Sequence, residues 1–174
     1  MSSYEHSTDN DLIDSINKGD VNAFEGLYDR YASKVLKRCY FICLNPEEAR
    51  DLMQEIWIKA FLHLHTFKKQ SAFSSWLYRI TTNHCLNYLK TKAHSEQLAG
   101  NMLSEESSHE DPTAAVEVHQ LLEKFSPEDR TILAMKFMGE YSYEEISTIC
   151  KIGVSAAKMR VSRLIAKLRE EVQP

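Results

Sequence analysis

Apolar residues return every three or four positions along most of the chain. Phe24, Leu27, Tyr28, Tyr31, Val35 and Leu36 are one such series, and the spacing is that of a helix with one buried face. The stretch "DLIDSINKGDVNAFEGLYDRYASKVLKRCYFICL" reads as two helices divided at Gly19 and Asp20. "NPEEARDLMQEIWIKAFLHLHTF" predicts a third, in which Asn45 suits the cap and Pro46 the first helical position. "SAFSSWLYRITTNHCLNYLK" predicts a fourth, entered through a polar turn at Lys68–Gln70. Four more follow in "PTAAVEVHQLLEKF", "SPEDRTILAMKFM", "SYEEISTICK" and the stretch from Ser155. Ser126-Pro127 opens the second of these, and a short turn at Ile152–Val154 separates the last two. No segment alternates with period two. With only 5 Gly and 4 Pro to make turns, the expected fold class is all-α.

Charge divides this helical chain into parts. The formal net charge is -4. Residues 1–90 and 113–174 each balance, whereas 91–112 hold one lysine, Lys92, against Glu96, Glu105, Glu106, Glu110 and Asp111. That stretch lacks sustained periodicity and ends in Pro112, so it reads as a flexible acidic linker. The expected organisation is an N-terminal helical domain (1–90), a linker (91–112) and a C-terminal helical domain (113–174). No apolar run reaches the length of a membrane span, and the N-terminus carries no basic segment followed by an apolar one. Cys39, Cys43, Cys85 and Cys150 lie inside apolar helical patterns, which fits a reducing, cytoplasmic setting.

The last two helices form a helix-turn-helix pattern. Ala157, Val161, Leu164 and Leu168 gather on one side of the final helix. Ser155, Met159, Ser162, Arg163 and Ala166 lie opposite, flanked by Lys158, Arg160, Lys167 and Arg169. Small residues let a helix approach base edges, and flanking cations neutralise phosphates. A net-negative chain can bind DNA when its positive charge is concentrated at the contact. The plain alternative is a solvated basic face.

The third helix has an unusual outward face. Asp51, Glu55, Ile58 and Leu62 line up opposite its broad apolar side, with Gln54 and Lys59 beside them. Two large aliphatic residues among acids on an outward face suggest a docking surface, against the alternatives of a helix buried on both sides or of scattered exposed aliphatics. In the fourth stretch Phe67, Phe73, Trp76 and Tyr78 lie among Lys68, Lys69, Arg79 and Lys90, with Asn83 and Asn87 one turn apart. Aromatic rings stack on unpaired bases and amides read base edges. Phe73, Leu77, Ile80, His84 and Tyr88 also share one face, however, which suits a plain core, and Trp76 beside that face reads as partly structural too. Cys39, Cys43, His84 and Cys85 could ligate zinc, although helix-embedded cysteines without a Cys-x-x-Cys knuckle are more often core. No Gly-rich phosphate loop or catalytic constellation appears, and no cofactor is expected.

In order, these stretches resemble the extracytoplasmic-function (ECF) sigma factors, the small two-domain specificity subunits of bacterial RNA polymerase. The resemblance runs from about Asp11 to Glu171. "KGDVNAFEGLYDRY" resembles the family's opening helix, and "EEARDLMQEIWIKAF" the segment that docks on the β′ clamp helices. "FKKQSAFSSWLYRITTNHCLNYL" resembles the minus-ten reading segment. "LLEKFSPEDRTILAMKFMGEYSYEEISTI" and the helix after it resemble the minus-thirty-five reading domain. The chain departs from the family pattern at Ser147 and Lys151, where a small Ala and a Gly are usual, at Ala156-Ala157 for a Thr-Val pair, and at Met159 for a Ser. Lys68–Gln70 lacks a Gly often found there, and Leu86 replaces a common basic residue.

The resemblance implies a protein without catalysis of its own. Its polymerase-docking residues would be Asp51, Gln54, Glu55, Ile58, Lys59 and Leu62. Phe67, Lys68, Ser71, Ala72, Phe73, Trp76, Arg79, Asn83 and Asn87 would hold the melted minus-ten element. Ser155, Ala156, Lys158, Met159, Arg160, Ser162, Arg163 and Lys167 would read the duplex minus-thirty-five element. The implied partners are core RNA polymerase, through its β′ clamp helices and β subunit, promoter DNA both double-stranded and melted, and an anti-sigma factor. The rival is a stand-alone helix-turn-helix regulator, which leaves the outward Ile58 and Leu62 and the aromatic stretch without a role.

Overall fold

The structure is a computed structural model and describes residues 4, 6–99, 114–139 and 141–172. Among these the chain is helical and contains no strand. Helix α1 spans Asp9–Asn17 and begins at a reciprocal cap. The Thr8 hydroxyl accepts from the Asp11 amide at 3.2 Å, and the Asp11 carboxylate accepts from the Thr8 amide at 2.9 Å. Gly19, at φ 104°, turns the chain into α2, Ala23–Cys43. Helix α3, Pro46–His63, starts as its sequence predicts: the Asn45 side chain accepts from the amides of Glu47 and Glu48 at 3.0 and 3.1 Å. A single 3-10 turn, Leu64–Thr66, leads into the loop before α4, Phe73–Ala99.

The C-terminal half holds α5 (Ala114–Glu123), α6 (Pro127–Met138), α7 (Tyr143–Cys150) and α8 (Val154–Val172). Ser126 and Ser142 cap α6 and α7, and at α7 the Glu145 carboxylate returns the bond to the Ser142 amide. The turn between α7 and α8 is built around Lys151, which adopts the left-handed conformation at φ 54°. There the Ser147 hydroxyl donates to the Ile152 carbonyl at 2.6 Å. A side chain able to hydrogen-bond thus stands where a small alanine was expected, and a lysine takes a backbone conformation that glycine adopts more readily.

Residues 91–99, expected in the linker, belong to α4. They contain no glycine or proline, and the Lys92 ammonium ties the extension to Glu48 of α3 at 2.5 Å. Residues 100–112 lie outside the described residues.

Two apolar clusters form the cores. Leu12, Ile13, Leu27, Val35, Ile42, Ile56 and Leu77 join α1, α2, α3 and α4. Phe125, Ile132, Leu133, Met135, Ile146, Ala157, Val161 and Leu164 join α6, α7 and α8 to the end of the α5–α6 connection. Each of the larger of these side chains contributes about 1.5–3 kcal/mol on burial. The two clusters touch, for α6 packs along α2 and against α4. Ala134 of α6 belongs to the first cluster, and Phe41 of α2 lies against the second.

This junction also buries two arginines. Arg38 of α2, 1% exposed, donates through Nη2 to the carbonyl of Met138 at the end of α6, while its guanidinium lies 4.1 Å from the Tyr78 ring centre. Arg130 of α6 donates through Nε to the carbonyl of Ile42 near the end of α2, at 3.0 Å. Its Nη1 donates to the Phe125 carbonyl at 2.7 Å. Burial pushes both guanidinium pKa values down. The Tyr40 hydroxyl and His119 Nδ1 meet at 2.8 Å beside them. Gly139 closes α6 where there is no room for more: a Cβ there would stand 2.3 Å from the Tyr141 ring and 3.0 Å from Arg38 Nη1.

Candidate docking and nucleic-acid interfaces

Helix α3 turns Leu52, Ile56, Trp57 and Ala60 into the core. The helical period then leaves Asp51, Gln54, Glu55, Ile58, Lys59 and Leu62 outside, and all six are exposed. Ile58 and Leu62 are 61% and 60% exposed, which removes the alternative of a helix buried on both sides. Phe61, assigned to the apolar side by its sequence position, is also exposed and packs edge-on against Phe24 at 5.0 Å. Val21 and Tyr28 of the neighbouring α2 segment are exposed as well. Sequence periodicity missed this extension, because it spans two helices. The face is braced from behind. His84 of α4 meets Lys59 Nζ through Nδ1 at 2.7 Å and Glu55 Oε2 through Nε2 at 2.7 Å.

The minus-ten candidates separate into two sets. Phe67 and Phe73 are buried, and Trp76 is half-buried between them with both ring centres at 5.6 Å. These three rings support the segment from beneath. Lys68, Ser71, Ala72, Arg79, Asn83 and Asn87 are exposed. Lys69 takes the left-handed conformation at φ 54° and pairs with Asp14, so the loop turns as a glycine would allow without having one. Arg79 is already engaged: its guanidinium pairs with Glu145 at the start of α7. Between α4 and α7 lies a cleft of about 370 Å³ lined by Arg79, Asn83, Tyr141, Glu144, Glu145 and Thr148.

On α8, Ala157, Val161 and Leu164 are buried, and Ser155, Ala156, Lys158, Met159, Ser162, Arg163 and Lys167 are exposed. Met159, at 62% exposure, projects near the helix start. Arg160 is held within the domain by Asp129, with Nε and Nη2 at 3.0 and 2.9 Å from Oδ1. Lys167 donates to the Lys124 carbonyl at 2.6 Å and lies 4.7 Å from the Phe125 ring centre. Five exposed side chains near the N-terminal half of α8 therefore form its outward centre: Ser155, Ala156, Lys158, Met159 and Ser162.

The cysteines take a different part. The Cys39 and Cys85 sulfurs lie 3.8 Å apart in the N-terminal core. The bond with Cys85, followed by burial, pushes the Cys39 thiol far up, and burial pushes Cys43 up to about 11. Thiols so protonated are poor nucleophiles and poor metal ligands. His84, grouped with them by sequence, spends both ring nitrogens on α3. Among the described residues no group of three or more His, Cys, Asp or Glu is placed to hold a metal, and no helix is long and apolar enough to cross a membrane.

Comparison with known proteins bears on both halves. Residues 27–95 match the family described as Sigma-70 region 2, and residues 115–168 match that described as Sigma-70, region 4. The ECF RNA polymerase sigma-E factor of Escherichia coli is 31% identical, over 98% of this chain and 97% of its own. The ECF RNA polymerase sigma factor SigW of Bacillus subtilis is 29% identical, over 92% of this chain and 95% of its own. In three dimensions the chain is similar to the sigma factor RpoE solved in complex with the anti-sigma factor NepR from Bartonella quintana. That similarity has a TM-score of 0.70 at 20% identity, covering 87% of this chain and 98% of the other. At that identity the likeness is one of fold.

Proposed function

The chain belongs to the ECF RNA polymerase sigma factors, and from that premise we propose how its surfaces divide the work of starting transcription. The exposed face of α3, with Ile58 and Leu62 framed by Asp51, Gln54, Glu55 and Lys59, docks on the β′ clamp helices of core polymerase. Exposed aliphatic residues among charges form the desolvated centre and polar rim of a protein interface. The C-terminal domain meets the upstream promoter element and the β subunit. Ser155, Ala156, Lys158, Met159 and Ser162 enter the major groove, while Arg163 and Lys167 lie toward phosphate. Lys68, Ser71, Ala72, Arg79, Asn83 and Asn87 hold the melted minus-ten strand, and Phe67, Phe73 and Trp76 shape the platform beneath. Binding an unpaired strand favours the open state by mass action, so the protein promotes melting without a catalytic group. It acts in the cytoplasm, with polymerase, and an anti-sigma factor is its expected regulator.

The observation that carries this reading is the exposure of Ile58 and Leu62 on a helix whose opposite face is core. The test is core binding and run-off transcription by the Ile58→Ser, Leu62→Ser double variant. The expected result is a folded chain that no longer competes for core polymerase. Wild-type affinity in the double variant would remove the docking assignment. A stand-alone regulator would instead bind promoter duplex fully without polymerase.

A further inference from the structure

We propose that His84 of α4 is a positioning residue for the docking face: its ring stands between Glu55 and Lys59 of α3, keeps those two charges from neutralising each other, and presents each to a partner group of opposite sign. The inference rests on the reading of α3 as the polymerase-docking helix. The bridge itself rests on geometry alone.

That geometry fixes the direction of each bond. Lys59 Nζ lies 2.7 Å from His84 Nδ1, and His84 Nε2 lies 2.7 Å from Glu55 Oε2. An ammonium only donates and a carboxylate only accepts, so Nδ1 accepts from Lys59 and Nε2–H donates to Glu55. The ring therefore carries its proton on Nε2 alone. Donors and acceptors run in one line from Lys59 through the ring to Glu55, and hydrogen bonds in such a line reinforce one another. The His84 side chain is 10% exposed and that of Glu55 61%. The ring is anchored, and the charges it holds face outward.

The spacing on α3 shows what the bridge prevents. Glu55 and Lys59 are four residues apart with the acid first, the arrangement that favours direct pairing across one helical turn. Yet the ion pairs of the described residues include none between them. A direct pair would leave a nearly neutral rim beside Ile58. With the ring between them, the second oxygen of Glu55 and two ammonium protons of Lys59 remain for a partner. Opposite charges one turn apart, beside an aliphatic centre, call for a partner surface with a cation and an anion at matching spacing. Charges so placed set register and partner choice more than affinity.

Two replacements separate hydrogen bonding from bulk. His84→Phe fills much the same space without either nitrogen. His84→Gln keeps an acceptor and a donor on one planar group. Affinity of the full chain for core polymerase is measured without DNA, so the neighbouring Asn83 and Asn87 do not enter. His84→Phe should bind about 5-fold more weakly, as loss of rim interactions allows, and its affinity should depend less on salt. His84→Gln should return to within about 2-fold of wild type. In a Glu55→Gln, Lys59→Met background the His84→Phe loss should shrink to about 2-fold or less, because the ring then has no charges to hold apart. Nitrogen NMR of the labelled imidazole in the free chain, at the pH of the binding assay, should show the Nε2–H tautomer. If His84→Phe lowers the melting temperature, His84→Leu takes its place, and the tautomer is read on the wild type in any case.

An Nδ1–H tautomer or a doubly protonated ring would overturn the bridge. Wild-type affinity in His84→Phe would overturn the positioning role. So would a His84→Gln chain as weak as His84→Phe, or an undiminished loss in the Glu55→Gln, Lys59→Met background. The Ile58→Ser, Leu62→Ser chain separates the two levels. Wild-type affinity there fells the docking reading, whereas lost affinity there beside wild-type affinity in His84→Phe fells the positioning role alone.

Discussion

Helices α3 and α4 lie side by side and are proposed to carry neighbouring tasks, yet they present their residues in opposite ways. Every expected docking residue of α3 points to solvent. On α4 and the loop before it, the aromatic residues turn inward and the leading cation, Arg79, is paired with the chain's own C-terminal half. The contrast follows from side-chain chemistry. Ile58 and Leu62 have no other apolar surface to reach, since the core side of α3 is already filled by Leu52, Ile56 and Ala60. Phe67, Phe73 and Trp76 can pack on one another, and do. A docking surface for protein can stay apolar and open. A surface for a charged strand needs rings held beneath and cations above, and free cations find partners.

The largest expected effect comes from treating these helices alike. Phe73, 2% exposed, is core. Phe73→Ala should cost about 3–5 kcal/mol of unfolding free energy, against about 0.5 kcal/mol or less for Ile58→Ala, both read by chemical denaturation. Comparable losses would break the contrast.

Core binding inverts that ranking. The Ile58→Ser, Leu62→Ser chain should lose about 100-fold in affinity for core polymerase, as truncation of central anchor residues does, while keeping its melting temperature.

A smaller effect separates reading from positioning on α8. Replacing Lys158 or Met159 by Ala should change base preference in the upstream element by about 1–3 kcal/mol per lost contact. Arg160→Ala should instead lower stability through the loss of Asp129 and leave the preference intact. Transcription across single-base promoter variants checks the first statement and thermal melting the second.

The smallest effect is on the turn between α7 and α8. Lys151→Gly relieves a left-handed lysine and should stabilise the C-terminal half by about 1 kcal/mol or less, a rise of a few degrees in the melting temperature.

The helices were legible because their signals are local. Asn45-Pro46 and Ser126-Pro127 mark starts through bonds that span three residues, and the period of α8 places Ala157, Val161 and Leu164 inside. The outward face of α3 was legible for the same reason. Arg38 and Arg130 were not, because their partners lie 100 and 88 residues away and no periodicity connects them. Phe67 and Phe73 stayed ambiguous because a ring that stacks on a base and a ring that fills a core have the same composition and spacing. Arg160 looked like a flank cation until Asp129, 31 residues earlier, came within reach. The end of α4 was placed too early since an excess of acids marks solvation, not the end of a helix.

Gly139 shows how narrow the alphabet of one position can become. Its backbone sits at φ -123°, a conformation open to any residue, so the dihedral does not demand glycine. Volume does. A methyl group there would stand 2.5 Å or less from two atoms of the Tyr141 ring and 3.0 Å from Arg38. The position therefore works as a keyhole through which the end of α6 reaches α2. The smallest possible addition to the sequence is a wedge between the halves of the molecule, placed on neither the surface assigned to polymerase nor the helix assigned to the major groove.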